Sequence, residues 1–288
     1  VPPPFDCHID LEAHQKSARY AFVKLRLARL GLFISTSVLL IWTLGGGIAS
    51  LSAVVQHLTA HPLHFGVVLL VLFSLIGSLF ELPLAYVDQF YVEQSFGFNR
   101  MTRGMWLMDL LKNTVLSAIL GIPLLYAVLA FMRLFPDTWW FWAWALFLGF
   151  NVLMLWLYPT LIAPLFNKFT PLPDGELKTR LEALLQRCGF SSNGMFVMDG
   201  SRRSGHGNAY FTGFGRNKRI VFFDTLLAQL TEPQIEAVLA HELGHFHHKH
   251  ILKRMAWMLP LSLGGFALLG FLVNKMWFYA GLGVSDDF

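Results

Sequence analysis

The chain has 288 residues, of which 55% are hydrophobic and only 14% are charged, whereas an average soluble domain has roughly 25% charged residues. This composition predicts a membrane protein and excludes disordered, collagen-like and coiled-coil proteins, which are poor in aromatic residues or rich in charge. The formal net charge of +4 is too small to indicate a nucleic-acid partner, so none is expected. The two cysteines, Cys7 and Cys188, cannot supply a disulfide framework.

Five segments stay apolar over the length of about 20 residues that a helix needs to cross a bilayer. They extend approximately over Leu32 to Val55, Phe65 to Tyr86, Met105 to Met132, Thr138 to Tyr158 and Arg254 to Lys275. The predicted organisation is a juxtamembrane segment in residues 1–30, about four transmembrane helices in 31–166, a polar domain in 167–250 and a further transmembrane helix in 251–282. The predicted fold class is therefore mainly α, with a small α+β domain inserted between membrane helices.

Lys and Arg residues are concentrated in alternate connections between these segments. Residues 1–30 carry several, including Lys16 and Arg19, whereas the connection from Gln56 to His64 carries none. By the positive-inside rule, residues 1–30 and the polar domain are predicted to face the cytoplasm. The Pro-rich, acidic start of the chain lacks the pattern of a signal peptide.

The polar domain shows the turn signals of a small α+β fold. Apolar spacing predicts a helix over Glu176 to Arg187 and a strand over Met195 to Met198. Two further apolar segments flank a four-residue turn and predict a hairpin: Asn208 to Phe214 and Arg219 to Phe223. The segment Ser201 to Gly207, which precedes the hairpin, contains mostly small residues and is predicted to be a mobile loop.

A well-capped helix follows the hairpin. Thr231 and Gln234 form a capping-box pattern, and apolar residues then recur at helical spacing. This helix contains the motif HExxH, as His241-Glu242-Leu243-Gly244-His245. Because residues four positions apart share one helix face, the imidazoles of His241 and His245 are expected to bind one Zn²⁺ per chain. Glu242 is then expected to act as general base and acid in the hydrolysis of a peptide bond.

A His-rich surface helix without metal is the alternative interpretation, because His247, His248 and His250 follow the motif. We interpret these three residues as solvated or interfacial. The longer metzincin pattern needs Gly and His where this chain has His248 and Ile251, so that class is excluded. An intramembrane protease of the site-2 type is excluded as well, because it carries HExxH within an apolar helix rather than in a polar domain.

A catalytic zinc site has three protein ligands and one open position, yet the sequence contains no Glu after Glu242. If the third ligand is a downstream Glu, it lies beyond Phe288. We therefore expect the chain to be truncated there, and also at its start, which lacks Met. Asp224 is the nearest upstream alternative, although a position between a strand and a helix is more typical of a cap.

Several segments together resemble one known family. They are the extended motif His241 to His250, the hairpin segments Asn208 to Phe214 and Lys218 to Leu227, the loop Tyr91 to Arg100, and His14-Gln15-Lys16. In these segments, which extend over nearly the whole chain, the sequence resembles the integral-membrane zinc metalloproteases of the CAAX prenyl endopeptidase type (type I), as a bacterial-like homologue.

The resemblance implies a transmembrane helical barrel that encloses a large water-filled chamber, closed by a zincin-like catalytic domain. It implies seven spans, one more at each end than the sequence shows, and a third zinc ligand that is a Glu on a later helix. It also implies that the strand at Asn208, Ala209 and Tyr210 pairs with extended substrate, for which exposed residues alternating beside a loop are suitable. An ordinary sheet strand is the alternative, and His206 is a weaker candidate for substrate contact.

The family's eukaryotic members remove the last three residues of prenylated CAAX proteins at the endoplasmic reticulum. The resemblance therefore implies a substrate peptide or protein, with or without a lipid, and a location in that membrane or in the bacterial inner membrane. The sequence does not identify the physiological substrate. Two alternatives stay open: a protease for membrane-protein quality control, and a catalytically silent membrane scaffold with an incomplete zinc site.

Overall fold

A computed structural model describes residues 10–190, 192–212, 219–248 and 250–283, without the side chains of residues 245–247 and 250–252. Five described helical segments are long and apolar enough to cross a membrane. They are α1 (Leu11–Trp42), α3 (Pro62–Val87) with the π-helical turn Asp88–Glu93, α4 (Arg103–Leu134), α5 (Trp139–Leu157) with the π-helical turn Tyr158–Ile162 and α6 (Ala163–Phe166), and α10 (His250–Leu272). Shorter apolar helices are α2 (Gly47–Leu58) and α11 (Met276–Gly281).

The first membrane helix differs from its predicted bounds of Leu32 to Val55. Helix α1 begins at Leu11 and ends at Trp42, and α2 begins at Gly47. The glycines between them end the helix, because Gly46 has the left-handed backbone angle φ 73°, which residues with a side chain rarely adopt. Helix α2 has 12 residues and is about 18 Å long, so it is too short to cross the hydrocarbon core.

The described chain divides into two compact units. One comprises residues 10–99, 113–136 and 270–283. Within it α1 and α3 pack antiparallel, with Trp42 against Phe73 near one end of the pair. Near the other end Lys24 donates to Asp88 at 2.6 Å and to Glu93 at 3.1 Å. Lys24 is therefore paired with two carboxylates where the apolar part of α1 begins.

The second unit comprises residues 100–112 and 137–269 and contains the sheet. Its strands are β1 (Phe169–Pro171), β2 (Met195–Met198), β3 (Ala209–Thr212) and β4 (Arg219–Phe223), in the spatial order β1-β2-β4-β3. Strands β2 and β4 are parallel, and the other two pairs are antiparallel. The predicted strand β2 and the predicted hairpin of β3 and β4 are confirmed, while the predicted turn at Gly215 to Lys218 lies outside the described residues.

Three helices complete the sheet domain: α7 (Glu176–Arg187), α8 (Asp224–Gln229) and α9 (Glu232–His247). Alternate strand residues, Ile220 and Phe222, point to one face of the sheet and are almost fully buried there. Leu181 of α7 and Leu239 of α9 pack into the same core. The mainly α fold with several membrane helices and a small α+β domain is thus confirmed. Strand β1 was not predicted, because three residues that include a proline give no readable alternation.

Candidate metal centre and substrate strand

Helix α9 carries the HExxH motif, and its start has the predicted cap. The backbone N–H of Thr231 donates to Oε1 of Gln234 at 2.9 Å. This is the half of the capping box in which the side chain three residues inside the helix binds the backbone at the cap. The capping prediction is therefore confirmed, and it sets the helical phase of the residues that follow.

The buried side of α9 determines which side its histidines occupy. Ile235, Leu239 and Leu243 are buried against the sheet. At about 100° per residue, positions 241 and 245 lie on a common face, roughly 140° away from the centre of this apolar stripe. His241 is exposed and Glu242 is half-buried. The same packing that holds α9 on the sheet thus directs the histidine face away from the core.

The donor set on this face fits two of the three ligands of a catalytic zinc. Two histidines at i and i+4 with an adjacent carboxylate have the residue types and spacing that zinc hydrolases use. The described side chains include no group of three or more His, Cys, Asp or Glu that could hold a metal ion. The side chain of His245 is not among the described side chains. The structure therefore places only its backbone, on α9, and its role as a ligand stays a prediction.

Asp224 is engaged in a different interaction. Its Oδ1 accepts hydrogen bonds from the backbone N–H groups of Ser201 and Thr225, each at 2.8 Å. Asp224 is the first residue of α8, after the N-cap Phe223, and a carboxylate there also interacts favourably with the helix dipole. The alternative of Asp224 as a zinc ligand is therefore not supported by its contacts.

Strand β3 lies at an edge of the sheet, beside α9. The N–H of Phe223 in β4 donates to the carbonyl of Asn208 at 2.9 Å, which marks Asn208 and Phe223 as a hydrogen-bonded pair. Because such pairs alternate along an antiparallel ladder, Tyr210 and Thr212 also face β4. The backbone groups of Ala209 and Phe211 point to the other side, which we call the open edge because no strand among the described residues pairs with it. The Asn208 side chain reaches the same edge, where its Oδ1 accepts the Ala209 N–H at 2.8 Å.

Tyr210 is half-buried, whereas its position in the sequence led us to expect an exposed residue. Its side chain lies on the sheet face opposite the core of α9 and is half-buried beside Met198 and Phe223. A small cavity of about 20 Å³ lies on this face, with Tyr158 of the π-helical turn in its lining. Burial, reinforced by the nearby Tyr158, raises the pKa of Tyr210 to about 12. The backbone groups of Tyr210 face Val221 of β4 and its side chain lies against the sheet, so Tyr210 contributes to the open edge by holding Ala209 and Phe211 in the strand.

The segment Ser201 to Gly207 is held by several hydrogen bonds, in contrast to the mobile loop that its small residues indicated. The carbonyl of His206 accepts from Thr225 Oγ1 at 2.8 Å, and the carbonyl of Gly205 accepts from Gln229 Nε2 at 2.9 Å. The side chain of His206 is exposed. It thus lies close in sequence to the edge strand, and its role in substrate contact remains a prediction.

Sequence reasoning missed one polar cluster next to this segment. Arg203 forms two hydrogen bonds with Asp109 of α4, from Nε to Oδ2 at 2.8 Å and from Nη2 to Oδ1 at 3.1 Å. Asp109 and Lys112 were visible as charges inside an apolar span, which is a signal for a polar partner. The partner could not be identified, because 94 residues separate Asp109 from Arg203.

Comparison with known proteins gives two family models that match the chain. A model described as the CAAX prenyl protease N-terminal region, with five membrane helices, matches residues 1–168. The model of peptidase family M48 matches residues 171–282. The second match contains strands β2 to β4 and helix α9. A family of metallopeptidases implies a metal cofactor.

Individual relatives agree with these models. CAAX prenyl protease 1 of Saccharomyces cerevisiae is 34% identical over 98% of this chain and 65% of its own length. The Arabidopsis thaliana homologue is 42% identical over 66% of this chain and 46% of its own length. The human homologue is 31% identical over 100% of this chain and 70% of its own length. The chain thus spans about half to two thirds of the length of the relatives that it matches.

A solved structure has the same fold. The crystal structure of S. mikatae Ste24p matches 97% of this chain and 66% of that chain, with a TM-score of 0.90 and 34% sequence identity. The two family models join at the boundary between the membrane helices and the sheet domain, and together they account for nearly the whole sequence. This chain is therefore a multi-pass membrane protein that belongs to peptidase family M48, with the CAAX prenyl protease type of N-terminal membrane region.

Proposed function

We propose that the protein is a zinc-dependent membrane endopeptidase that removes the C-terminal tripeptide of CAAX proteins. The observation that carries the proposal is the HExxH helix α9, held on the sheet beside the open edge strand β3. His241 and His245 would hold one Zn²⁺, and the third ligand is proposed to be a Glu that follows Phe288 in the full-length protein. The organisation of residues 1–30, 31–166, 167–250 and 251–282 belongs to the same proposal.

Bound zinc would lower the pKa of a water molecule and polarise the scissile carbonyl. Glu242 lies next to His241 in sequence and is half-buried on the same helix. Its carboxylate would accept a proton from the attacking water and then deliver that proton to the nitrogen of the leaving amine. A peptide bond needs such proton delivery, because an amide anion is a very poor leaving group.

Substrate would bind in an extended conformation along β3. The backbone groups of Ala209 and Phe211 point to the open edge, and an extended peptide can pair with such groups as an additional strand. Asn208 would release the Ala209 N–H when the peptide takes its place. Tyr210 would support peptide binding indirectly, by pairing with β4 and holding its neighbours at the edge. His206 is exposed near the start of the strand and would make a polar contact with the peptide.

The names of the relatives support a prenylated substrate. The relatives named above are CAAX prenyl proteases of eukaryotes, which supports a location in the endoplasmic reticulum membrane over the bacterial inner membrane. The sheet domain is proposed to face the cytoplasm. Residues 1–30 and the sheet domain are both rich in Lys and Arg, and the positive-inside rule assigns such segments to the cytoplasmic side. The partners are then a lipidated protein and the bilayer.

The experiment uses the full-length protein in proteoliposomes, with a fluorogenic peptide that ends in a farnesylated cysteine followed by three residues. We expect about one zinc per chain and cleavage after the farnesylated cysteine. Glu242→Ala is expected to keep zinc and lose cleavage, and His245→Ala to lose both. His248→Ala, a histidine of the same helix region outside the motif, is the matched control and is expected to keep both.

Retained cleavage in Glu242→Ala would exclude the proposed role of Glu242. Zinc binding without cleavage of any peptide would favour a silent scaffold. Equal cleavage of farnesylated and unmodified peptides would contradict a preference for CAAX substrates and favour a quality-control protease.

A further inference from the structure

The loop from Gly200 to Asn208 leads into the edge strand and is attached to the rest of the domain on two sides. On one side it is bound to α8, where Asp224, Thr225 and Gln229 hold its backbone. These bonds connect it with the same helix that follows β4. The α8 side of the loop thus moves with the sheet.

On the other side the side chain of Arg203 attaches the loop to α4 at Asp109 and to Asn167. Arg203 binds both carboxylate oxygens of Asp109, and its Nη1 donates to Oδ1 of Asn167 at 3.0 Å. The side chains of Arg203 and Asp109 are only 19% and 14% exposed. The backbone adds a further bond, since Arg100 N–H donates to the Arg203 carbonyl at 3.1 Å. A planar guanidinium bound in this way at three nitrogens has little freedom to shift.

The partner residues of Arg203 lie where the membrane helices meet the sheet domain. Asp109 is in α4, one turn before Lys112, and Lys112 donates to the carbonyl of Leu165 at 2.9 Å. Asn167 follows α6 directly and precedes β1. Lys112 of α4 therefore binds the connection through which the chain leaves the membrane helices. Arg203 joins the loop from Gly200 to Asn208 to this connection at Asn167 and to α4 at Asp109.

We propose that Arg203 is a positioning residue that sets the place of β3 for pairing with the substrate peptide, with Asp109 as its anchor. This inference rests on the proposed function, since it concerns the strand that would bind the peptide. Arg203 precedes Asn208 by five residues, and the loop between them is held at His206. A shift of Arg203 therefore moves the start of β3, and small displacements of a substrate-binding group can change rates up to about a hundredfold.

If the ion pair of Arg203 and Asp109 served only to stabilise the domain, a different result would be expected. Its loss would lower the stability of the domain and the amount of folded protein, while the folded fraction would bind peptide normally. A positioning role instead raises KM with little change in kcat, because it weakens substrate binding without altering the zinc site or Glu242.

The experiment compares Arg203→Gln, Asp109→Asn and the double variant with wild type in the full-length protein. Arg202→Gln is the matched control, because Arg202 is the exposed neighbour and pairs with Asp199 instead. KM and kcat are measured with the farnesylated peptide, zinc is quantified, and hydrogen–deuterium exchange is followed over residues 200–212.

We expect each single variant to raise KM about tenfold, with kcat and zinc content unchanged and with faster exchange over residues 200–212. The double variant is expected to match the single variants, because both remove one interaction. Unchanged KM and exchange in Arg203→Gln, or the same change in Arg202→Gln, would overturn the proposal, and so would additive effects in the double variant. If the wild-type protein cleaves no peptide, the proposed function fails, and exchange over residues 200–212 still decides whether Arg203 holds the strand.

Discussion

Arg180 of α7 and Glu236 of α9 form an ion pair that joins the two helices on the core face of the sheet, with Nη2 and Oε2 3.1 Å apart. Arg187, two turns further along α7, reaches the other oxygen of Glu236 at 3.3 Å. Glu236 lies five residues before His241, so the pair secures the part of α9 that leads into the motif. Its strength is limited by water, because Arg180 and Arg187 are substantially exposed.

Glu236→Gln should therefore destabilise the sheet domain only slightly, by about 0.5–1 kcal/mol. The reason is that both ion pairs are lost while the amide can still accept one hydrogen bond. Thermal unfolding at low and high salt checks this, and the difference from wild type should shrink as salt screens the pairs. A large effect that is independent of salt would show that Glu236 contributes through packing instead.

Leu239→Ala should destabilise the domain much more, by about 2–5 kcal/mol. Leu239 is 1% exposed and lies in the core between α9 and the sheet, so its truncation leaves a cavity beneath the motif. Leu239→Met, which conserves volume, is the control and should cost less than about 1.5 kcal/mol. The measurement is thermal unfolding together with zinc retention. Equal effects of the two substitutions would contradict tight packing at this position.

Gly200→Ala should strain the turn that precedes the edge strand. A Cβ at Gly200 would lie 2.7 Å from the ring of Phe223, and such overpacking typically costs about 1–3 kcal/mol. Gly104→Ala in α4 is the control, since the described structure offers a Cβ there open space. Hydrogen–deuterium exchange over residues 200–212 should rise in Gly200→Ala and stay unchanged in Gly104→Ala.

Tyr210 should make the domain sensitive to alkaline pH. Because the folded-state pKa of Tyr210 is raised from 10.0 to about 12 by burial, the folded state favours the neutral phenol. The contribution of the neutral Tyr210 phenol to folding stability is fully present below about pH 10 and is lost as the pH rises from about 10 towards 12. The thermal unfolding temperature should therefore fall more steeply between pH 9 and 12 in wild type than in Tyr210→Phe. Parallel curves for the two proteins would show that Tyr210 titrates normally.

Local sequence patterns predicted much of this protein. The capped helix α9, the strand Met195–Met198 and the β3–β4 hairpin all follow from short-range spacing, because capping and alternation act within a few residues. The motif His241 to His245 is equally local, since its helix face depends only on the i, i+4 relation. The five long apolar segments followed from length and composition alone.

Other features depend on partners far away in the sequence. The predicted span ran past the end of α1 at Trp42, because the sequence is apolar on both sides of the three glycines. Hydropathy therefore does not reveal that the helix ends there and that Gly46 has a left-handed backbone angle. The half-buried state of Tyr210 depends on residues of other strands and of the π-helical turn. For Asp224 the sequence favoured a structural role near the helix start over a zinc ligand, and its hydrogen bonds with Ser201 and Thr225 agree with a structural role.

The sequence by itself determined that this is a multi-pass membrane protein with an HExxH helix in a polar domain, because hydropathy, capping and helical periodicity are properties of neighbouring residues. Only the tertiary structure decided that β3 is an edge strand and that Arg203 attaches its loop to Asp109. Strand order and ion pairing join segments that are distant in sequence, and the free energy of such contacts leaves no periodic trace in the chain.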